Sequence, residues 1–473
     1  MSEPLWTARE ALAATGGKLA GSTDWTADGV SIDTRSLKPR DLFVALTDQR
    51  DGHDFVPDAA ARGAACSLVA RSDGMPGNLL VGRDTLESLR ALGRAARDRS
   101  DAIRVAVTGS VGKTSVKEAL AAVFRAAGPA HWSERSYNNH WGVPLTLARM
   151  PKATRRAVFE MGMNHAGELR DLTGLVRPHV ALVTRIAPAH LEFFRSVADI
   201  AHAKAEIYEG LMTDGVAIYP RDDEHGELLL DHARRSAAGF ILDFGLSPEA
   251  AVNVSQFETA PDGARGRVSV LGKSLDFRIG ASGAHWAWNA AAIFAAAIAA
   301  GIDAEAVAEA LPDVGAEPGR GRVHQVGLPT GGFIRLLDES YNANPVSMAA
   351  AIETLGGLVP GKGGRRIAVL GEMLELGPKS PDLHAGLAEP LVRAKADLVI
   401  ASGSRMTPLT DALQDGIETH YANDADAALT CLTQAVRPGD VVMVKGSNAS
   451  GVHRVVKALL AAQPAGSQRG EDR

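Results

Sequence analysis

Ile103-Arg-Val-Ala-Val-Thr-Gly-Ser-Val-Gly-Lys-Thr-Ser-Val-Lys-Glu118 decides the fold. Ile103–Val107 is an apolar run of the kind that forms a buried strand. A tight turn of small residues follows, then Lys113-Thr114, then a helical pattern. That order builds a phosphate cradle. Gly109 and Gly112 let backbone N–H groups approach an anion, and the helix N-terminus adds the positive end of its dipole. Thr108, Ser110, Val111 and Ser115 complete the loop. Lys113 is placed to reach β- and γ-phosphates, and the Thr114 hydroxyl to ligate Mg²⁺. The predicted ligand is ATP.

The loop departs from G-x-x-x-x-G-K-[ST]. That pattern needs Gly at 107, where this chain has Val107. An ordinary strand–turn–helix junction with a surface lysine is the competing reading. The order of strand, glycines, Lys-Thr and helix is what the phosphate mechanism requires.

Around this stretch the chain is 473 residues long, 45% hydrophobic and 22% charged, within the range of soluble globular proteins of several domains. Its net charge of −6 argues against nucleic acid as the main partner. Cys66 and Cys431 lie in apolar runs and read as buried thiols rather than a disulfide or metal pair. Met1–Ala20 lacks a basic region followed by an apolar stretch, so no signal peptide is expected. No apolar run reaches the roughly 18–20 residues of a membrane span. The expected location is the cytoplasm, with no membrane insertion, and the expected state is a monomer.

The expected fold class is α/β in three domains. Residues 1–98 read as a small α/β domain. Residues 99–312 read as a central domain, like a P-loop ATPase, with a mostly parallel sheet. A hairpin is expected at Val268–Leu271 and Leu275–Ile279, turning at Gly272-Lys273. Gly315–Gly321 reads as a linker. Residues 313–462 then alternate strands and helices as a doubly wound, Rossmann-like domain, and 463–473 form a polar tail expected to be disordered. Gly361-Lys-Gly-Gly364 precedes a strand and reads as a plain turn.

Further candidates sit at strand ends, where parallel α/β sheets bind ligands. Glu160 ends the strand after the loop and suits Mg²⁺. His190 follows the next strand, suited to a second metal or to phosphate. Lys204, flanked by alanines in a helical pattern, reads from its residues alone as a surface lysine. Asn138-Asn139 suits a polar ligand, or a turn closed by asparagine side chains. Asn344 before Pro345 is a natural helix N-cap. Glu339 suits ribose hydroxyls, and Lys445-Gly446-Ser447 an anionic substrate.

Together these pieces resemble the Mur ligase family, the ATP-dependent amide-bond formers of peptidoglycan synthesis. The resemblance covers nearly the whole chain. It implies that Glu160, His190 and Lys204 join Thr114 in holding Mg²⁺, two ions in all, with Lys204 carbamylated by CO₂. It makes Lys113, Lys204 and His190 the catalytic candidates. It places Asn289, in Gly283-Ala-His-Trp-Ala-Trp-Asn289, against adenine and Arg320 against the nucleotide.

Asp33-Thr34-Arg35, Asp51-Gly-His-Asp-Phe55, Asn164-His-Ala-Gly-Glu168, Ser340-Tyr-Asn-Ala-Asn-Pro345 and Gly371-Glu-Met-Leu-Glu-Leu-Gly377 resemble the member acting on UDP-N-acetylmuramoyl-tripeptide and D-alanyl-D-alanine. On that resemblance Ser31, Thr34 and Arg35 hold the UDP part. Asn138, Asn139, Asn164, His165, Tyr341, Asn342, Asn344, Lys445 and Ser447 hold the rest of the substrates. Glu339 stands where many members have Asp, and Asn448 where Arg is common. Three other readings remain at this point. They are a sibling ligase adding diaminopimelate or lysine, a non-catalytic nucleotide- or UDP-sugar-binding protein, and a generic P-loop kinase.

Overall fold

The computed structural model describes residues 3–134, 136–189, 191–260, 263–413 and 416–462. The chain forms three α/β domains around three main sheets. Among the described residues no helix is long and apolar enough to cross a membrane. The tail 463–473, expected to be disordered, and His190 lie outside the described residues.

The N-terminal sheet has five strands in the order Lys18–Ala20, Leu79–Val81, Cys66–Val69, Asp41–Val44, Gly29–Ser31. Only the first pair is antiparallel. Its core continues into the central domain, since Leu145 and Ala148 pack with Trp6, Leu42 and Leu92. The Trp6 indole N–H also donates to the Ala148 carbonyl at 2.8 Å.

The central sheet has nine strands. Its parallel part includes Ala130–Trp132, Arg156–Glu160, Ile103–Thr108, Val180–Val183 and Gly215–Pro220, in that spatial order. From Ile103–Thr108 the chain goes first to one side and then to the other. The phosphate-loop strand is therefore the switch point, where open α/β sheets bind ligands. Register aligns the rim: Glu160 pairs with Val107 and Val183 with Thr108. The alanine-rich helix Trp286–Ala299 is buried against one face with the helix Lys113–Ala126.

The hairpin at the far edge joins Gly263–Val270 to Lys273–Ile279. Its turn is Leu271-Gly272 rather than Gly272-Lys273. Both turn residues take positive φ, 47° and 85°, the type I′ signature that matches strand twist. Strands Ala238–Gly245 and Val252–Ala260, which were not legible in the sequence, join this hairpin to Gly215–Pro220. Cys66 is buried and Cys431 only half-buried; both are free thiols.

The C-terminal sheet has six strands. Phe333–Glu339 lies between Arg322–Gly327 and Val441–Lys445, followed outward by Arg366–Gly371, Leu398–Ser402 and Glu418–Ala422. Apolar clusters cover both faces, as a doubly wound sheet requires.

Candidate active site

The phosphate loop is held in shape by contacts that only glycine permits. Gly109 has φ 149°, and a Cβ there would lie 1.9 Å from Thr184 Oγ1. Gly112 has φ 86°, and a Cβ there would lie 2.6 Å from Asn289 Oδ1. The loop is thus pressed between the end of the Val180–Val183 strand and the Trp286–Ala299 helix. Thr184 Oγ1 donates to Val111 O at 2.6 Å, and Ser110 N donates to Arg185 O at 2.7 Å. Thr108 does not face outward. Its hydroxyl donates to Met161 O at 2.8 Å and ties the loop to the Glu160 strand.

Lys113 opens the helix and folds back, Nζ donating to Gly109 O at 2.7 Å. Burial lowers its pKa, while the nearby Glu160 carboxylate opposes that shift and the Arg320 charge adds to it. Glu160 is 1% exposed. One of its oxygens accepts from Asn138 Nδ2 at 2.8 Å. The other has no hydrogen-bond partner among the described residues, and the same holds for Ser110 Oγ, Arg185 Nε and Asn289 Nδ2.

These four residues share one cavity of ≈ 470 Å³ with Lys113 and Thr114. The opposite wall comes from the C-terminal domain through Arg320, Glu339, Tyr341, Asn342, Asn344 and Lys445. Glu339 and Lys445 end neighbouring parallel strands in register, and their charges lie 3.4 Å apart. Lys445 Nζ also donates to Asn342 O at 2.9 Å. Burial lowers the lysine's pKa, and Glu339 opposes the shift. Asn344 caps the helix Pro345–Gly357 in a capping box with Ser347. The Arg320 guanidinium stacks 4.1 Å from the centre of the Tyr341 ring. It lines the same cavity as the phosphate loop.

Lys204 is not on the cavity wall, and it is not a surface lysine. On the helix Val197–Ala205 its side chain points inward and is 1% exposed. Burial, and then the charge of Lys113, push its pKa well below the ordinary lysine value.

The remaining candidates fall elsewhere. Asn139 Oδ1 accepts from Gly142 N at 2.8 Å and closes a turn. The Ser447 hydroxyl accepts from Leu374 N at 3.0 Å. Ser31 Oγ donates to Asp33 O, and Arg35 pairs with Asp33 at 2.7 Å on the N-terminal domain, away from this cavity. Asn164 and His165 flank Glu168, with His165 on the rim of a separate cavity of ≈ 480 Å³. Sequence reasoning missed Arg185, Trp288 and His285, which also line the nucleotide cavity. Arg185 obeys the strand-end rule that found Glu160, and it sits 4.5 Å from the centre of the Trp288 ring.

Comparison with known proteins fits this geometry. Residues 107–297 match the Mur ligase middle domain, and 321–448 match the Mur ligase, glutamate ligase domain. The UDP-N-acetylmuramoyl-tripeptide–D-alanyl-D-alanine ligase of Escherichia coli is 36% identical over 450 residues, covering 94% of this chain and 96% of that one. The chain belongs to the Mur ligase family. The ligase of the same name from Bacillus subtilis is 33% identical, covering 91% and 93% of the two chains. A crystal structure of MurF from Acinetobacter baumannii superposes on this Mur ligase with a TM-score of 0.83 at 29% identity, covering 97% and 99%.

Both nucleotide and metal fit the residues of this Mur ligase. The orphaned Ser110 hydroxyl and Asn289 amide are unsatisfied polar groups in a cavity, which a polar ligand would satisfy. The open Glu160 oxygen and the Thr114 hydroxyl are hard oxygen donors of the type Mg²⁺ takes. Among the described residues no group of three His, Cys, Asp or Glu side chains is assembled to hold a metal. The fit is to a cation that keeps several waters and meets phosphate oxygens.

Proposed function

We propose that this Mur ligase joins D-alanyl-D-alanine to UDP-N-acetylmuramoyl-tripeptide, using ATP and releasing ADP and phosphate. The observation that carries the reading is the shared cavity. It brings the phosphate loop of one domain against the Glu339–Asn344 run of another, in a chain that matches ligases of that name along nearly their whole length.

In the reaction the tripeptide's terminal carboxylate attacks the γ-phosphorus of ATP, giving an acyl phosphate and ADP. The dipeptide's amine then attacks the acyl carbon, and phosphate leaves. The first step brings two anions together, so its barrier is largely electrostatic. Lys113 offsets that repulsion from the loop, and Arg320 does so from the opposite wall. Lys445 and Asn342 line the side from which the dipeptide would approach. The cavity holds the partners in position, which supplies much of the remaining rate. When bound, Mg²⁺ would neutralise phosphate charge. Thr114 and Glu160 would hold it, with a carbamylated Lys204 and, by the resemblance, His190.

The burial of Lys204 supports carbamylation. Burial that lowers the lysine's pKa favours the free amine that CO₂ requires, and the product carries a negative charge suited to the neighbouring Lys113. We place UDP on residues 1–98, ATP on 99–312 and the dipeptide side on 313–462. We place the protein in the bacterial cytoplasm as a monomer.

The deciding experiment is phosphate release from ATP and Mg²⁺ with the UDP-linked tripeptide, with and without D-alanyl-D-alanine. Release that needs both substrates, with a pentapeptide product by mass, supports the reading. Turnover only with a UDP-linked dipeptide and a diamino acid would move the protein to the sibling activity.

A further inference from the structure

One turn along the phosphate-loop helix, the Lys117 side chain is 0% exposed. A buried ammonium is costly unless paired and hydrogen-bonded, so its partners matter. It forms an ion pair with Glu118 and donates to the Ser133 carbonyl at 2.8 Å. Ser133 is itself fully buried, at the end of the strand Ala130–Trp132. Its hydroxyl accepts from Glu160 N at 3.3 Å, while Asn138, five residues later, holds the Glu160 side chain. Glu160 is therefore gripped at its main chain and its carboxylate from one connection, and Lys117 is fastened to the start of that connection.

Glu317 of the interdomain linker senses the same cluster. Its carboxyl is raised by burial and then by Glu118, and lowered by Lys117 and Arg320. The loop helix and the carboxylate strand are thus joined through this lysine and Ser133, with the linker's Glu317 within reach of its charge.

We propose that Lys117 is a positioning residue for the Glu160 carboxylate, fixing through Ser133 the direction in which its open oxygen faces the nucleotide cavity. This rests on the reading of Glu160 as a metal ligand. Lys117 is not among the residues lining the cavity; its role would run through Ser133.

The test is calorimetric binding of AMPPNP to the whole protein, once in EDTA and once in Mg²⁺. The ratio of the two Kd values reports how well the site joins metal to nucleotide. Partners that orient a metal ligand typically alter metal affinity by about 10–100-fold. Lys117→Met should lower the ratio by about tenfold or more, leaving Kd in EDTA within about twofold of wild type. Lys117→Arg, which keeps a cationic donor, should recover part of the loss.

A ratio unchanged by Lys117→Met, or a loss of equal size with and without Mg²⁺, would overturn the proposal. If Lys117→Met does not fold, Ser133→Ala decides on the same readout, because it deletes only the hydroxyl that meets Glu160 N–H. Glu160→Gln separates the two readings. If it keeps the wild-type ratio, the metal reading falls and the positioning role with it. If it loses the ratio while Lys117→Met and Ser133→Ala do not, only the positioning role falls.

Discussion

Asn138 Nδ2 donates to one oxygen of Glu160 at 2.8 Å, and the other oxygen of that carboxylate has no hydrogen-bond partner among the described residues. A carboxylate that is 1% exposed and only half satisfied by protein groups is costly. A cation at the open oxygen would remove that cost, while the Asn138 amide keeps the carboxylate in one orientation.

Asn138→Ala should therefore damage metal use more than folding. Without the amide, Glu160 can rotate toward Lys113. The Mg²⁺ concentration needed for half-maximal phosphate release should rise by about 10–100-fold, the range for partners that orient a metal ligand. Thermal unfolding should shift little by comparison. An unchanged Mg²⁺ dependence would show that the amide does not orient the carboxylate.

Lys113→Ala should abolish ligation while binding of the UDP-linked tripeptide survives. Removing one preorganised charge from a transferring phosphoryl group costs about 10²–10³-fold or more in rate. Activity within tenfold of wild type would remove the phosphate loop from the mechanism.

How far the sequence led can be judged at particular residues. The loop was legible because strand, glycines, Lys and helix are adjacent in the chain, and each has its own local signal. Glu160 was legible because a strand end is a place a sequence can mark. Lys204 was not, since flanking alanines are neutral between surface and core. Only the packing of its helix on the central domain buries it. Asn138 and Asn139 looked alike in the sequence. One meets Glu160 and the other closes a turn, a difference set by the Glu160 strand 22 residues away from Asn138. The strands Ala238–Gly245 and Val252–Ala260 were missed because many of their positions are polar and exposed, so the apolar alternation that marks a strand is weak.

His131 gives a dependence on pH. Its Nε2 meets the Thr146 carbonyl at 2.7 Å, and burial pushes its pKa down to about 4. In the unfolded chain a histidine titrates near about 6.5. The folded protein therefore binds fewer protons between these values. Stability is fully present above about 6.5 and is lost as pH falls toward 4, and at pH ~5 the loss is about 1–2 kcal/mol. Urea unfolding at about pH 7.5 and about pH 5 should show a smaller acid loss in His131→Gln than in wild type. Equal losses would mean that this imidazole does not contribute.

Asp338 links the linker to the C-terminal wall. One oxygen accepts from Ser340 N and Oγ, at 3.2 and 2.6 Å, and the other from Gly319 N at 2.7 Å. The carboxylate is buried, and every one of these partners is a donor. Asp338→Asn would turn an –NH₂ toward one of them, leaving two donors face to face. That should cost about 1–3 kcal/mol of stability. The displaced group would be Gly319 N–H or the Ser340 pair, so Arg320 would lose its seat beside Tyr341 or the run Ser340–Asn344 would shift. Either outcome raises KM for ATP or for the dipeptide while leaving binding of the UDP-linked tripeptide intact, since Ser31, Thr34 and Arg35 lie on another domain. Asp338→Glu keeps the charge but lengthens the arm, and should recover stability better than it recovers KM. A variant with wild-type KM values and lowered stability would make Asp338 a folding residue only.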